Sequence, residues 1–177
     1  MSKLPVCPHC GSRKVVKIDD FLRCDDCNQD FGRTATSDDG VLMVDAVKGL
    51  RFRYGDYFTG SVILRIAEDT EAGAVLFEVY DSQMHGTHKV ADLIDKEEWM
   101  ALKKKLFEDM YVADWYRVYY PVNDGKKILD NNSWELDLIV SDTEVLVSKG
   151  YSIEPVKHYW KKLLDVMEPY FNRLAEE

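Results

Sequence analysis

Leu50-Arg51-Phe52-Arg53-Tyr54, Ser61-Val62-Ile63-Leu64-Arg65-Ile66-Ala67 and Ala74-Val75-Leu76-Phe77-Glu78-Val79-Tyr80 are three apolar-rich runs separated by short turns. In the first, apolar and basic residues alternate with the two-residue period of a half-buried strand. Gly55-Asp56, Thr59-Gly60 and Asp69-Thr70-Glu71-Ala72-Gly73 supply the turn residues between the runs. Connections this short join antiparallel neighbours, so the three runs predict a meander.

Working outward from the meander, residues 83–93 show no clear period and read as irregular. Asp95 then offers an N-cap with Glu98 three residues on, the arrangement of a capping box. The helix it opens spans about 96–110, with Trp99, Leu102, Leu106, Phe107 and Met110 as its apolar stripe. Lys103-Lys104-Lys105 reads as its solvated face. The aromatic stretch Asp114 to Tyr120 fits a strand or a helix end equally well. Trp134-Glu135-Leu136-Asp137-Leu138-Ile139-Val140 alternates cleanly, which turns Glu135 and Asp137 to solvent. Ser141-Asp142-Thr143 folds it back into 144–148, and Gly150 ends the hairpin. Glu154-Pro155 opens a last helix with the stripe Val156, Trp160, Leu163, Leu164, Met167 and Phe171, and Pro169 should kink or restart it. The expected fold is α+β, with a largely antiparallel sheet and two main helices.

The chain has 177 residues, 46% of them hydrophobic and 31% charged, which fits a folded protein and excludes collagen, coiled coil and whole-chain disorder. No apolar run reaches the ~18 residues of a membrane helix. Met1-Ser2-Lys3-Leu4-Pro5 runs into a cysteine motif without a signal-peptide core, so a cytoplasmic protein with no membrane association is expected. The net charge of −9 argues against a general nucleic-acid binder. The charge is unevenly placed: residues 1–36 carry +1 and residues 37–177 carry −10. With the small polar stretch Thr34 to Gly40, this break divides the chain into a module at 1–33, a linker at 34–48 and an acidic α+β domain at 49–177.

All the cysteines fall in the first 27 residues, as Cys7-Pro8-His9-Cys10 and Cys24-Asp25-Asp26-Cys27. Each C-x-x-C suits one tight knuckle that aims two thiolates at one metal, and two knuckles fill a tetrahedral shell. Gly11 and Asn28 follow the pairs, and both tolerate the left-handed backbone on which a knuckle turns back. Between the pairs, residues 14–18 and 20–23 read as two short strands around an Asp turn. Cys7, Cys10, Cys24 and Cys27 are therefore the expected ligands of one structural Zn2+. Two disulfides would need an oxidising compartment. A redox pair would need a helix start that is absent here, and a catalytic zinc would need an open position. His9 reads as a solvated loop residue.

Residues 5–33 resemble the zinc-ribbon family: C-P-x-C-G-S, a short hairpin, F-L-R-C-x-x-C, and Phe31-Gly32 closing the unit. The resemblance implies a β-ribbon around one zinc and extends to transcription factors, transposases, ribosomal proteins and adaptors. A rubredoxin-like iron site has a similar arrangement but usually more chain between its pairs. The final hairpin, Gly150 and the helix with Trp160 loosely resemble a unit of uncharacterised bacterial and phage α+β proteins, which carries no known activity.

Catalytic constellations are scarce. A phosphate loop, a nucleophile elbow and an H-E-x-x-H helix are absent. His85 and His88 flank Gly86-Thr87 as a candidate second metal pair, and read as loop histidines. Asp114 with Asp124-Gly125-Lys126 imitates a nuclease layout, but the second element sits in a turn. Arg51, Arg53 and Arg65 could hold phosphate; cross-strand pairing with residues such as Glu78 is the simpler reading. Tyr111, Trp115, Tyr116, Tyr119 and Tyr120 form either a binding surface or core and rim. In the module, Arg13, Lys14, Lys17 and Arg23 are interleaved with Asp19, Asp20, Asp25, Asp26 and Asp30, which weakens any phosphate contact.

The expected function is a non-enzymatic binding or regulatory protein. Its acidic domain docks a protein partner that carries a basic, nucleic-acid-binding surface, as an inhibitor or immunity-type factor would. Two alternatives stand beside it: direct nucleic-acid binding through the ribbon, and a metal-dependent hydrolase.

Overall fold

The computed structural model describes residues 3–56, 60–69, 75–83, 86–119, 133–151 and 157–175. The N-terminal cysteine module holds three short antiparallel strands, β1 (Val15–Ile18), β2 (Phe21–Cys24) and β3 (Asp30–Phe31), in the order β1-β2-β3. Asp19, at φ 47°, makes the turn between the first two.

A short helix α1 (Met43–Ala46) leads into β4 (Gly49–Asp56), β5 (Gly60–Glu68), β6 (Val75–Gln83) and β7 (Gly86–Ile94). Helix α2 (Lys96–Lys104) follows, then β8 (Val118–Tyr119), β9 (Ser133–Ile139), β10 (Val145–Gly150) and α3 (Lys157–Phe171). β4 to β10 form one mixed sheet in the order β7-β6-β5-β4-β9-β10-β8. Every pairing in it is antiparallel except β10 with β8. The meander expected from 50–80 is present and gains β7, with Val79 opposite Val90.

The stretch 83–93 is thus a strand where the sequence reads as irregular. Its exposed Lys89, Ala91, Asp92 and Leu93 leave no apolar period, because an outermost strand draws its order from β6 rather than from a buried face of its own.

The register aligns apolar residues across three strands: Leu50 lies opposite Ile66 and Leu138, and Phe52 opposite Leu64 and Leu136. All six are buried. The aromatic side chains of α3 cover them, with the Trp160 ring 6.2 Å from Phe52 and 5.9 Å from Trp134, and Tyr170 5.5 Å from Phe77. Each such burial is worth about 1.5–3 kcal/mol. Gly150 lies opposite Trp134, and a Cβ there would come within 2.9 Å of the indole Nε1, so this strand end has no room for a side chain.

Asp95 caps α2 as expected, its carboxylate accepting from the Glu98 N–H at 2.7 Å. The helix continues as a π-helical turn over Lys105–Asp109. Lys103 corrects the reading of a solvated lysine face. It is 1% exposed, and its ammonium donates to the Val47 carbonyl at 3.0 Å and lies 3.5 Å from Glu68. Lys104 and Lys105 are exposed. α3 runs through Pro169 and tightens into a 3-10 turn only at Asn172–Ala175. Val156 lies outside the described residues.

Residues 34–48, read as a linker, carry buried side chains. Met43 and Val47 belong to the main core, and Asp38 N–H donates to Glu144 at 3.0 Å. Among the described residues, no helix is long and apolar enough to cross a membrane.

Candidate metal centre

Each C-x-x-C turns back on itself through one bond, Gly11 N–H to the Cys7 carbonyl at 2.9 Å and Asn28 N–H to the Cys24 carbonyl at 2.8 Å. Gly11 and Asn28 take the positive φ that this needs, 76° and 55°. The two knuckles face one another. Cys7 Sγ lies 3.7 Å from Cys27 Sγ, Cys10 Sγ lies 3.6 Å from Cys24 Sγ, and all four sulfurs fall within 4.8 Å of one another. Sulfurs held at ~2.3 Å around one tetrahedral ion lie about 3.8 Å apart, so the donor set fits one metal ion and is too wide for disulfides.

The polypeptide treats these thiols unequally: burial raises Cys7 and Cys10, whereas Cys24 is drawn down. Burial opposes ionisation of Cys24, but the backbone N–H groups of Cys27 and Asp26 outweigh it and draw its pKa down to about 7. Burial pushes the Cys7 thiol up, against the N–H groups of Cys10 and His9. A bound cation would reverse that balance, because ligation deprotonates a thiol. Among the described residues these four cysteines are the one group of His, Cys, Asp or Glu side chains that could hold an ion.

The remaining candidates do not converge. Asp114 belongs to no cluster of metal-ligating side chains among the described residues, and its Oδ2 accepts the Gly32 N–H at 2.9 Å. Burial raises its pKa, partly offset by that N–H. Asp124, Tyr120 and His85 lie outside the described residues. His88 is an exposed residue of β7. Arg51 reaches Glu135 at 3.1 Å and Asp137 at 3.4 Å, and Arg65 reaches Glu78 at 3.8 Å. Arg51 and Arg65 are therefore engaged in cross-strand pairing. Glu135 and Asp137 are half-buried beside Arg51 rather than turned freely to solvent.

The aromatic stretch joins the module to the sheet. Tyr111 packs edge-on against Phe31 at 5.4 Å, and a Cβ on Gly32 would lie 3.2 Å from its ring. The Tyr119 hydroxyl donates to the Pro8 carbonyl at 3.4 Å, and the Tyr159 hydroxyl donates to Val6. Val6 itself lies in the main core. His9 corrects the solvated-loop reading: its ring sits 4.8 Å from Tyr116, and both ring nitrogens are buried with no hydrogen-bond partner.

Sequence reasoning missed this docking. Its one visible signal is an apolar residue, Val6, placed directly before the first cysteine. In comparisons with protein-family models, with curated proteins and with solved structures, the chain matches none.

Proposed function

We propose that the chain is a non-enzymatic binding protein, in which a zinc ribbon with one structural Zn2+ on Cys7, Cys10, Cys24 and Cys27 braces an acidic α+β domain that docks a basic protein partner. The observation that carries this reading is the packing of the module against the sheet through Val6, Phe31, Gly32 and Asp114. A four-thiolate shell leaves no open position for substrate, which suits a brace rather than a catalyst. The hydrolase alternative loses support because Asp114 already accepts a backbone N–H and belongs to no cluster of three or more metal-ligating side chains among the described residues. The nucleic-acid alternative loses support because the module's cations meet its own carboxylates. Lys14 pairs with Asp26 at 2.9 Å, Arg23 with Asp30 at 2.7 Å, and Arg33 with Asp20 and Asp30. The −10 balance of residues 37–177 supports a basic partner through electrostatic complementarity.

Metal analysis of the purified chain should give one zinc per molecule. Capture on the immobilised chain from nuclease-treated lysate should retain a basic protein at low ionic strength and release it as salt rises. Retained duplex DNA that Arg13→Ala with Lys14→Ala releases would replace this reading with nucleic-acid binding. Turnover of a substrate with no protein captured would replace it with an enzyme.

A further inference from the structure

The sheet stops short on one side. β10 pairs with β9 along its whole length, but with β8 only at Lys149 and Gly150. Two bonds show which residues face outward. Val140 N–H donates to the Glu144 carbonyl on the β9 side, and Lys149 N–H donates to the Arg117 carbonyl on the other. By the alternation of an antiparallel ladder, the N–H and C=O of Val145 and Val147 point away from β9 with those of Lys149. Among the described residues no hydrogen bond reaches these outward groups. The free edge, Val145 to Val147, is three residues or about 10 Å long and ends at Ser148, whose hydroxyl donates to the Tyr116 carbonyl at 2.6 Å.

The edge opens onto a cavity of ≈ 440 Å³. Leu136, Leu138, Met43 and Trp115 line it with apolar surface; Asp38 and Glu144 add carboxylates at the Val145 end, and Arg117 adds a cation at the Ser148 end. Its other walls come from Thr36 and Asp38 and from Val112, Ala113, Trp115 and Arg117, so the space lies between the strand edge, the segment before α1 and the segment before β8. Edge strands are ordinarily blunted by charge. The opposite edge follows that rule, with Lys89 and Asp92 on β7. Val145-Leu146-Val147 carries neither charge nor proline, and Val145 is 40% exposed.

We infer that this slot accepts an extended segment of a partner protein as an added strand beside β10. Main-chain bonds to Val145 and Val147 would hold it. Its apolar side chains would meet Leu136, Leu138 and Met43, and its basic side chains Asp38 and Glu144. The inference rests on the reading of the chain as an acidic binding protein and names where the basic partner docks.

The test uses the full chain and the labelled peptide acetyl-Lys-Val-Lys-Val-Lys-Val-Lys-amide. A control peptide carries a methyl on every backbone nitrogen, which keeps charge and side chains but removes the strand donors. Val147→Pro removes one outward N–H and leaves the bonds to β9 intact. The parent peptide should bind, and either change should weaken it about tenfold, the loss expected for one or two hydrogen bonds. Amide exchange of Val145 and Val147 in the unmodified chain should slow on binding, which needs no variant to fold. Equal affinity for the two peptides, or unchanged exchange at both amides, overturns the slot while the acidic docking reading stands. Binding of neither the peptide nor any basic protein overturns both. Self-association that Val147→Pro abolishes would make the occupant a second copy of the chain and overturn the partner assignment.

Discussion

The cysteine module and the seven-stranded sheet obey the same hairpin rules, yet they are held together by different means. The sheet buries Leu50, Phe52, Leu64, Ile66, Phe77, Val79, Leu136 and Leu138 beneath two helices. The module buries little besides Cys7, Val15, Cys24 and Phe31, and leans on Tyr111 from the other part. A unit this small cannot exclude enough water to offset its own chain entropy. It needs a crosslink at one end and a neighbour at the other. The four thiols are placed to supply the first by holding one metal ion, and Val6, Gly32 and Asp114 supply the second.

Metal removal should break this contrast most sharply. Zinc binding to such a thiolate shell contributes about 10 kcal/mol or more of folding free energy. Cys24→Ser, or a strong chelator, should therefore abolish the module's protected amides in hydrogen exchange. The sheet should keep its far-UV circular dichroism but melt at a lower temperature, because Val6 and Tyr159 lose their contact. Collapse of the whole spectrum would mean that the two regions are one cooperative unit.

Phe52→Ala is the reciprocal experiment. It opens a cavity beneath Trp160 and Phe171 and should cost about 3–5 kcal/mol. For a chain of this size that lowers Tm by about 6–20 °C. The folded variant should still hold one metal per chain. Loss of metal before unfolding would show that the sheet core organises the cysteines.

The smallest effect lies at the joint. Asp114→Ala leaves the Gly32 N–H without its acceptor and should cost about 1–3 kcal/mol, with faster exchange of that amide. Asp114→Asn keeps an acceptor and removes the charge. Burial raises the Asp114 pKa above its unfolded value, so the folded state holds the proton more tightly than the unfolded chain does. Stability from this group is then greatest below the ordinary carboxylate pKa of about 4 and declines as pH rises through the raised value. The asparagine variant should lack that decline and gain on the parent between acid and neutral pH in denaturant titrations. Parallel profiles would place Asp114 in solvent and loosen the joint.

Much of each region was legible before folding was considered. The knuckles, the meander, the Asp95 cap and the apolar stripe of α3 are written in spacings of two to four residues, although the buried Tyr159 and Tyr170 fall outside the stripe read there. β7 was not legible, because both faces of that outer strand are polar enough to hide its period. Lys103 was not legible either. Its side chain is buried by the approach of Val47 and Glu68, and nothing within α2 announces that. Among the candidate sites, the cysteines declared their role by spacing, whereas Asp114 looked like half of a nuclease pair and serves as an acceptor for Gly32.

The sequence alone determined which residues can hold a metal, where the meander, β9, β10 and α2 begin, and where the charge lies, since ligand spacing, periodicity and composition are local properties of the chain. Tertiary structure alone decided that β4 pairs with β9, that the module docks through Val6, Gly32 and Asp114, and that, among the described residues, Val145 and Val147 of β10 keep an unpaired side beside a cavity. These depend on which distant segments meet, and that choice is made by the shared burial of Phe52, Leu136 and Trp160 rather than by any neighbour along the chain.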